Sequence, residues 1–435
     1  MALLLENIET FIWTFIAIPT LLVVSVFMTF YYRGVQFRFL KMFKSITNKE
    51  KVQDGISSFQ SLTMALAARV GVGSLAGVAL AIYIGGPGSI FWMWICAFLT
   101  AAASFAESTL AQMYKKRDGK IFVGGPAYYI EAGIGKKSFG VLYAVVIILT
   151  YTFGFTAIQS NTIAMSFSEI LNITPFITGL LLAGLTALII FGGTKTIAQT
   201  TAKIVPIMAI AYILIGLYVI VSNASYIPVF FITIFENAFG IEQVSGATLG
   251  MIVATGFKRS VFCSEAGMGS GAHAAATTNS KNPTDQGYIQ ALGVYITMFL
   301  ISTITAFLIM VTNAQTIGTA DSNGIEMTQY ALTTLFGDLG GYFLTLAIFF
   351  FAFSTILTGY FYGESNIKYL FKNDRYLNLI RIITLIIIVV AALTSPSIIW
   401  SLVDIGVGTT ATINVIAILL LARQVKRQLH KKEPR

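Results

Sequence analysis

The stretch "ARVGVGSLAGVALAIYIGGPG", residues 68–88, places six glycines and one proline inside an otherwise apolar segment. Glycine weakens a helix, and in lipid every backbone N–H or C=O group without a partner is costly. A membrane segment therefore loosens its backbone only where the freed groups are buried in protein or line a cavity. The stretch predicts a functional break in a transmembrane helix, directly after Arg69.

The rest of the chain has the composition of a polytopic helical membrane protein. Of its 435 residues, 56% are hydrophobic and 11% are charged, and the mean hydropathy is +0.78. A soluble domain of this size carries about 25% charged residues. We therefore expect an all-α membrane protein with about 11 transmembrane helices, each long enough to cross a hydrocarbon core of about 30 Å. The apolar segments are approximately 11–32, 58–84, 88–114, 138–168, 174–192, 197–222, 243–278, 284–312, 338–371, 377–394 and 397–423.

The net charge of +9 is distributed by segment. Basic residues gather in three of the segments between and after the spans: Arg33, Arg38, Lys41, Lys44, Lys49, Lys51, Lys115, Lys116, Arg117, Lys120, Lys136, Lys137, Arg423, Lys426, Arg427, Lys431, Lys432 and Arg435. Segments on the other side carry acidic charges only: Glu6, Glu9, Glu236, Glu242, Asp321 and Glu326. By the positive-inside rule we expect a plasma-membrane protein with its N-terminus outside and its C-terminus in the cytoplasm. The charge is thus a topology signal, and no nucleic-acid partner is expected.

The first apolar segment and the cysteines add two smaller expectations. Segment 11–32 lacks a small-residue cleavage site and is too long for a signal peptide, so it should remain as a helix. Cys96 and Cys263 both fall inside predicted spans. We expect buried thiols there and no disulfide framework.

A second span, 243–278, is interrupted by "CSEAGMGSGAHAAA" (Cys263 to Ala276). Each broken span is the first of five, so two five-helix units with opposite orientations are predicted. Paired glycine-interrupted spans are typical of inverted-repeat transporters that bind substrate near the bilayer midplane. The alternative is that the glycines only allow close helix packing, as Gly73 and Gly77, four apart, would permit. The expected organisation is an N-terminal helix and basic loop, a first repeat, a second repeat and a basic tail, over residues 1–55, 56–223, 224–423 and 424–435.

At these motifs the sequence resembles the alanine/glycine:cation symporter family, sodium-coupled amino-acid carriers with the leucine-transporter-type fold. The matching runs follow one another along nearly the whole chain: "RVGVGSLAGVALAI" (69–82), "GGPGSIFWMW" (85–94), "GGPAYYI" (124–130), "IQSNTIA" (158–164), "EAGMGS" (265–270) and "FAFSTILTGYFYGE" (351–364). The resemblance implies an inverted-repeat core in which the two broken helices hold the carboxylate and ammonium of the substrate.

The resemblance also implies two sets of site residues. The implied substrate-binding residues are Gly71, Val72, Gly73, Ser74, Gln159, Ser264, Gly267, Met268, Gly269 and Gly359. The implied ligands of a coupling sodium ion are the carbonyls of Ala67, Val70 and Phe351 and the hydroxyls of Ser354 and Thr355. Sodium is a hard cation that favours oxygen ligands. The alternative for the two hydroxyls is hydrogen bonding to carbonyls of their own helix.

The sequence departs from the family pattern at three places. The family usually reads G-T-G-N where this chain has Gly71 to Ser74, and Asn where it has Ser264. A Trp that the family often has near the pocket is replaced by Gly359. Alanine or glycine is the substrate that the resemblance implies. Because Gly359 would widen the pocket, glutamine or another larger neutral amino acid is the alternative substrate, and protons are the alternative coupling ion.

Placing a charged residue inside a membrane span is energetically unfavourable, so each such residue is a candidate for a functional role. Five fall there: Arg69, Glu107, Lys258, Arg259 and Glu265. Arg69 either pairs with a carboxylate in the cavity or is held structurally by Glu107 or by carbonyls. Glu265 either carries a proton or accepts N–H bonds that brace the second break. Glu364 and Asp404 lie towards span ends, where we expect them to be solvated.

Other functional classes have weaker support. Ser74 and His273 are the residue types of a serine nucleophile and its base, so an intramembrane protease is a remote alternative. A passive channel would use similar breaks. The sequence contains no Walker A run, which argues against ATP as the energy source. We expect a secondary transporter, not an enzyme, whose partners are an amino acid and membrane lipid, with no obligate protein partner.

Overall fold

The computed structural model describes residues 2–47, 54–240, 248–318, 324–371 and 373–432. Of the charges discussed above, Lys49, Lys51, Glu242, Asp321 and Arg435 lie outside the described residues, as does the predicted start of a span at 243. The helices are α1 Leu4–Tyr31, α2 Phe39–Thr47, α3 Ser58–Arg69, α4 Gly73–Gly85, α5 Gly88–Met113, α6 Pro126–Tyr129, α7 Lys137–Leu171, α8 Pro175–Ile190, α9 Gly193–Ser222, α10 Ile227–Ala238, α11 Leu249–Ser264, α12 Ser270–Ala276, α13 Pro283–Val311, α14 Ile325–Phe336, α15 Asp338–Leu370, α16 Asp374–Ala392, α17 Pro396–Leu420 and α18 Ala422–Lys432. A hairpin of β1 Lys116–Asp118 and β2 Ile121–Val123 lies between α5 and α6.

The helix lengths confirm a polytopic membrane protein. In the described part of the chain, 8 helices are long and apolar enough to span a bilayer, and the bent pair α3–α4 makes up to 9. The shorter α8 and the broken pair α11–α12 occupy the positions of two further predicted spans. The prediction of about eleven is therefore consistent with the structure. Cys96 and Cys263 are buried free thiols, as expected.

Both broken helices begin with a side-chain cap and end at a distorted backbone. Ser57 Oγ accepts a hydrogen bond from the N–H of Gln60 at 3.1 Å, and Thr248 Oγ1 accepts from the N–H of Met251 at 3.3 Å. The α3 and α4 axes differ by 50° across their break. After α11, Glu265 has a φ of 54°, which is rare for a residue with a side chain. The glycines and this left-handed residue end the helical hydrogen bonding where the sequence predicted it.

Helix α5 packs closely against α11 and α13, because glycines remove side chains at the crossing points. A Cβ on Gly256 of α11 would lie 2.7 Å from the Ser89 carbonyl oxygen. A Cβ on Gly287 of α13 would lie equally close, 2.7 Å, to the Phe105 carbonyl oxygen. Small residues at helix interfaces let backbones approach in this way. These contacts pack α5 closely against both α11 and α13.

The hairpin, which the sequence analysis did not predict, carries ion pairs at the basic end of the molecule. Arg117 pairs with Asp54 at 2.8 Å, just before α3 begins. Lys368, near the end of α15, lies 3.1 Å from Asp118 and 3.1 Å from Glu364. Glu364 is only 3% exposed, so the expectation that it is solvated is wrong. Its burial follows from the lysine one helical turn further along, which supplies a counter-charge.

At the opposite end, polar contacts hold the N-terminal helix against the core. Trp13 donates a hydrogen bond from Nε1 to the carbonyl oxygen of Asp404 at 2.9 Å. Glu9 pairs with Lys258, and the Asp404 carboxylate pairs with Arg259. Asp404 is 1% exposed, which corrects the expectation of solvation. Two cations from α11 provide the charge that allows both carboxylates to be buried.

A glycine comparison tests the packing of α5 against α13. We expect Gly287→Ala to destabilise the protein, by about 1–3 kcal/mol, because the new methyl group meets backbone. Gly184→Ala is the control, since α8 leaves open space at Gly184 and alanine favours helix by about 1 kcal/mol. Thermal unfolding of the purified variants measures the difference. Equal melting temperatures for both variants would contradict the close crossing.

Candidate functional site

The first break, between α3 and α4, is pressed against α7 and α15 through Gly71. A Cβ on Gly71 would lie 2.3 Å from Thr355 Oγ1 and 2.9 Å from Gln159 Oε1. Gln159 Oε1 accepts a hydrogen bond from the N–H of Val72 at 3.0 Å, so this side chain satisfies a backbone group freed by the break. A cavity too narrow for a water molecule adjoins the break, and its lining is Gly71, Val72, Leu75, Ile325, Ile348 and Phe351.

Several buried oxygen atoms from α3 and α15 lie close together beside this contact. Thr355 Oγ1 lies 2.7 Å from the Ala67 carbonyl oxygen and 2.9 Å from the Phe351 carbonyl oxygen. Ser354 Oγ donates to the same Phe351 carbonyl at 2.8 Å. A hydroxyl has one hydrogen, so Thr355 cannot donate fully to both carbonyls at once. Val70 ends α3 with a ψ of 46°, which turns its carbonyl away from the helical direction. The sodium ligands implied by the family therefore lie on two neighbouring elements, and the expected back-bonding within α15 is also present.

Side chains of other helices hold the second break. The Gly267 carbonyl accepts a hydrogen bond from Asn414 Nδ2 at 2.9 Å, and the Met268 carbonyl accepts one from Tyr143 OH at 2.8 Å. A Cβ on Gly269 would lie 2.8 Å from the Tyr143 hydroxyl. The structure thus places Gly267, Met268 and Gly269 against α7 and α17. Their hydrogen-bond partners are side chains of neighbouring helices and not residues of the first break.

The carboxylate that accepts a backbone N–H at the second break is Glu107, whereas the sequence analysis had suggested Glu265. Glu107 Oε2 accepts the N–H of Gly269 at 3.1 Å, whereas Glu265 Oε2 accepts the hydroxyl of Ser270 at 2.8 Å. The expectation that Glu265 accepts N–H bonds is wrong in this respect. The left-handed backbone at Glu265 turns its side chain towards the start of α12, and Glu107 reaches Gly269 from α5.

The end of α11 lies beside the first break. A Cβ on Gly73 would lie 2.9 Å from ring carbons of Phe262 and 3.3 Å from the Cα of Cys263. Ser264 is the next residue, so the structure brings it into the neighbourhood of Gly73. Ser74 Oγ donates across the break to the carbonyl of Arg69 at 3.1 Å. The first break and the end of α11 therefore form one region.

Aromatic rings cover this region. The rings of Phe155 and Phe262 are stacked with centroids 4.8 Å apart, and the Trp400 ring lies 5.0 Å from Phe262. Tyr151 stacks on Phe155 at 4.3 Å. A Cβ on Gly359 would lie 3.5 Å from Tyr151, an ordinary contact. The position where the family often has Trp is thus backed by the Tyr151 ring.

Arg69 points to a different set of helices from those that contact Gly71. Its guanidinium donates to the Gln290 carbonyl at 2.9 Å and to Ser104 Oγ at 3.4 Å. Cβ atoms on Gly271 and Gly293 would lie 2.7 Å and 2.4 Å from its nitrogens. The side chain passes between these two glycines of α12 and α13. Of the alternatives for Arg69, the structure favours being held by a carbonyl.

The Ser–His alternative has no geometric support. His273 Nδ1 lies 3.1 Å from the Ser270 carbonyl oxygen and its Nε2 lies 2.8 Å from Asn366 Nδ2. The Ser74 hydroxyl donates to the Arg69 carbonyl. Both side chains are committed to partners other than each other, whereas a nucleophile and its base must be within hydrogen-bond reach.

Sequence reasoning missed two residues of the second break, Asn414 and Tyr143. Asn414 is a buried amide inside the predicted span 397–423, and polar residues at such positions commonly hydrogen-bond across helices. That signal could have singled out Asn414. Tyr143 had no comparable signal, because a tyrosine in a span is equally typical of simple packing.

Comparison with known proteins shows which family the sequence belongs to. Residues 1–433 match the sodium:alanine symporter family. Amino-acid carrier protein AlsT of Bacillus subtilis strain 168 is 42% identical over 413 residues, covering 95% of this chain and 88% of AlsT. Probable sodium/glutamine symporter GlnT of the same strain is 39% identical, over 95% of this chain and 87% of GlnT. Putative sodium/proton-dependent alanine carrier protein YrbD, also of that strain, is 40% identical, over 97% and 90%.

Among solved structures, MhsT in complex with L-phenylalanine aligns with a TM-score of 0.61 at 11% identity, over 87% of this chain and 99% of MhsT. At that identity the likeness shows the fold alone, which is that of leucine-transporter-type proteins. Symporters are transporters, so the prediction that the protein is not an enzyme is confirmed. The match across the whole length places the chain in the sodium:alanine symporter family.

Proposed function

We propose that this protein imports a small neutral amino acid, alanine or glycine, by sodium symport with alternating access. The observation that carries the proposal is the contact of the first break with α15, where Thr355 Oγ1 lies 2.7 Å from the Ala67 carbonyl oxygen. Relatives named as alanine carriers and as a sodium/glutamine symporter support amino acids as the substrate class. A binding site at a helix break near mid-membrane is typical of this kind of transporter.

In this proposal the sodium ion lies among the oxygens of Ala67, Val70, Phe351, Ser354 and Thr355. All five residues are buried, with at most 1% exposure. On binding the ion, the two hydroxyls would turn their hydrogens away from the Phe351 carbonyl and present lone pairs. Oxygens already gathered from α3 and α15 supply the hard ligands that the cation needs.

The proposed substrate contacts are the first break, Gln159, the end of α11 and Gly359. The substrate carboxylate would replace the Gln159 oxygen on the N–H of Val72, a bond that the protein now makes with itself. Gly267, Met268 and Gly269 are now bonded to the framework and would contribute through movement of the break. Because the adjoining cavity is narrower than a water molecule, substrate entry requires the break and the covering rings to separate.

The proposal also includes the orientation of the chain in the membrane and its division into two five-helix repeats. The N-terminus would face outside and the C-terminus the cytoplasm, as the basic segments indicate. The two five-helix repeats would span 56–223 and 224–423, between the segment 1–55 and the tail 424–435. The proposed partners are the amino acid and the surrounding lipid, with no nucleic acid and no obligate protein partner.

Uptake into proteoliposomes tests the substrate. With an inward sodium gradient we expect labelled alanine or glycine to accumulate, and accumulation to disappear when the gradient is collapsed by a sodium ionophore. Background uptake of alanine, glycine and glutamine alike would refute the proposal. Accumulation of glutamine in preference to alanine would instead favour the alternative substrate, a larger amino acid that fits a pocket widened at Gly359.

The sodium ligands are tested by removing hydroxyls. We expect Ser354→Ala combined with Thr355→Ala to raise the sodium concentration for half-maximal uptake about tenfold or more, since each ligand contributes about 1–2 kcal/mol. Thr358→Ala is the control, because the Thr358 hydroxyl donates to the Ser354 carbonyl of its own helix at 3.0 Å. A sodium dependence that is unchanged in the double variant, or shifted equally in the control, would exclude the pair.

Two glycines of the first broken helix make a matched test of the break. We expect Gly71→Ala to reduce the initial uptake rate about fivefold or more, because its Cβ would collide with Thr355 and Gln159 at a cost of about 1–3 kcal/mol. The nearest atom to a Cβ on Gly77 is 3.7 Å away, so Gly77→Ala should retain uptake. Comparable rates for the two variants, at matched amounts of folded protein, would separate Gly71 from the transport site.

A further inference from the structure

Helix α2, Phe39–Thr47, leaves large apolar side chains uncovered at the basic end of the molecule. Leu40 is 88% exposed and Phe43 is 58% exposed, and the ring of Phe39 is exposed as well. An α-helix has 3.6 residues per turn, so these three side chains lie on one face. Contiguous exposed apolar side chains commonly mark a surface that contacts a membrane or another protein. None of the three has a part in the proposed transport site.

The other two faces of α2 have different chemistry. Met42 is fully buried, and Ser45 Oγ donates a hydrogen bond to Asp285 Oδ1 of α13 at 3.4 Å, so this face packs on the protein. Lys41 and Lys44 lie on the third face, and both are exposed. An apolar face beside a lysine-bearing face is typical of helices that lie at a membrane surface.

Contacts with α13 place α2 at the boundary between lipid and water. The ring of Phe39 lies 5.1 Å from that of Tyr295, which stacks at 5.4 Å on Phe299. Phe299 is exposed on a helix that spans the membrane, so it faces lipid. Ser45, at the other end of α2, reaches Asp285 in the first turn of α13. The helix therefore runs from the lipid-facing surface of α13 towards the polar start of that helix.

The end of α1 agrees with this position. Phe30, in the last turn of α1, is largely exposed, as expected of a side chain that faces lipid. Arg33 and Gly34 then have left-handed backbone, with φ of 55° and 61°, which ends the helix and turns the chain. Helix α2 thus follows a transmembrane helix directly, near the level at which that helix leaves the bilayer.

We propose that α2 is a membrane-surface helix that binds anionic phospholipid. Its apolar face, Phe39, Leu40 and Phe43, lies among acyl chains, and Lys44 contacts the phosphate of an anionic headgroup, with Lys41 on the same side. The leaflet is the cytoplasmic one in the proposed orientation of the chain. Acidic lipids of that leaflet attract basic residues close to the end of a membrane helix. The lipid contact itself does not depend on the proposed transport activity.

A second copy of the chain is the competing occupant of this face. In a symmetric dimer both copies contribute the same patch. Pairing of two α2 helices through Leu40 and Phe43 would therefore bring the lysine face of one copy towards that of the other, and like charges repel. Lipid supplies acyl chains for the apolar face and negative charge for the lysines. The membrane is consequently the occupant that satisfies both faces.

Helix α13 joins this lipid contact to the first broken helix. Gln286, one residue after the partner of Ser45, donates from Nε2 to Ser58 Oγ at 2.9 Å and accepts from Ser61 Oγ at 3.2 Å. Ser58 and Ser61 belong to the first turn of α3. Lipid held by α2 therefore lies against the same end of α13 that positions the start of α3.

Spin-label accessibility in lipid nanodiscs tests the membrane contact. The purified full-length protein carries a nitroxide at Leu40→Cys, and the native thiols Cys96 and Cys263 are buried. We expect oxygen, which concentrates in the bilayer, to relax this label more than a water-soluble nickel complex does. Lys120→Cys, in the exposed turn of the hairpin, is the control and should show the reverse order.

Two results would overturn the membrane contact. One is stronger relaxation of the label at position 40 by the nickel complex than by oxygen. The other is dipolar coupling between the labels of two copies, which would assign the face to a second copy of the chain. If Leu40→Cys does not fold, Phe43→Cys places the label on the same face, and the same two results decide.

Photolabelling in the same nanodiscs tests the headgroup. We expect phosphatidylglycerol with a photoreactive headgroup to attach to the peptide that contains α2, and the matching phosphatidylcholine to attach at least about fivefold less. Lys44→Glu should lower the phosphatidylglycerol yield at α2 by about fivefold or more, since one lysine near an anionic surface contributes about that factor. Lys137→Glu, at an exposed lysine of α7, is the matched control and should leave this yield unchanged. Equal yields from the two lipids, or equal losses in the two variants, would overturn the assignment.

Discussion

A backbone group in the interior of a membrane needs a hydrogen-bond partner, and this requirement governs both helix breaks. The N–H of Val72 is met by Gln159 from α7, and the carbonyl of Gly267 by Asn414 from α17. Tyr143, again from α7, donates to Met268. Each break is therefore stable only while side chains of neighbouring helices hydrogen-bond to its freed backbone groups. A shift of a broken helix must either carry its partners along or exchange them for other donors, such as a substrate.

Much of the fold was predictable because its signals are local. Apolar length predicts spans, and the glycines of 68–88 and 263–276 predict where two of them lose helical backbone. The neighbourhood of the first break was also predicted, since the resemblance named Gln159 and Thr355 and the structure places both against Gly71. The wider assignment of substrate and sodium ligands remains a prediction for the experiments above.

What the sequence did not predict was the pairing between distant residues. Asp404 looked like a residue near a span end, yet the cations that bury it come from α11, 145 residues earlier in the chain. Glu265 looked like the brace of its own break, but Glu107 accepts the Gly269 N–H from a neighbouring helix. Composition and periodicity report which groups need partners. They do not report which of several helices will provide them, because that depends on the three-dimensional order of the bundle.

The N-terminal helix α1 shows what such pairing means for biogenesis. Trp13 and Asp404 are 391 residues apart, and Glu9 pairs with a lysine 249 residues later. During synthesis α1 leaves the ribosome before α11, and α11 leaves it before α17. Until α11 has been made, the Glu9 carboxylate of α1 lacks its lysine counter-charge. Final packing of α1 against α17 is therefore a late event in assembly, because the hydrogen bond between Trp13 and Asp404 cannot form before α17 has been made.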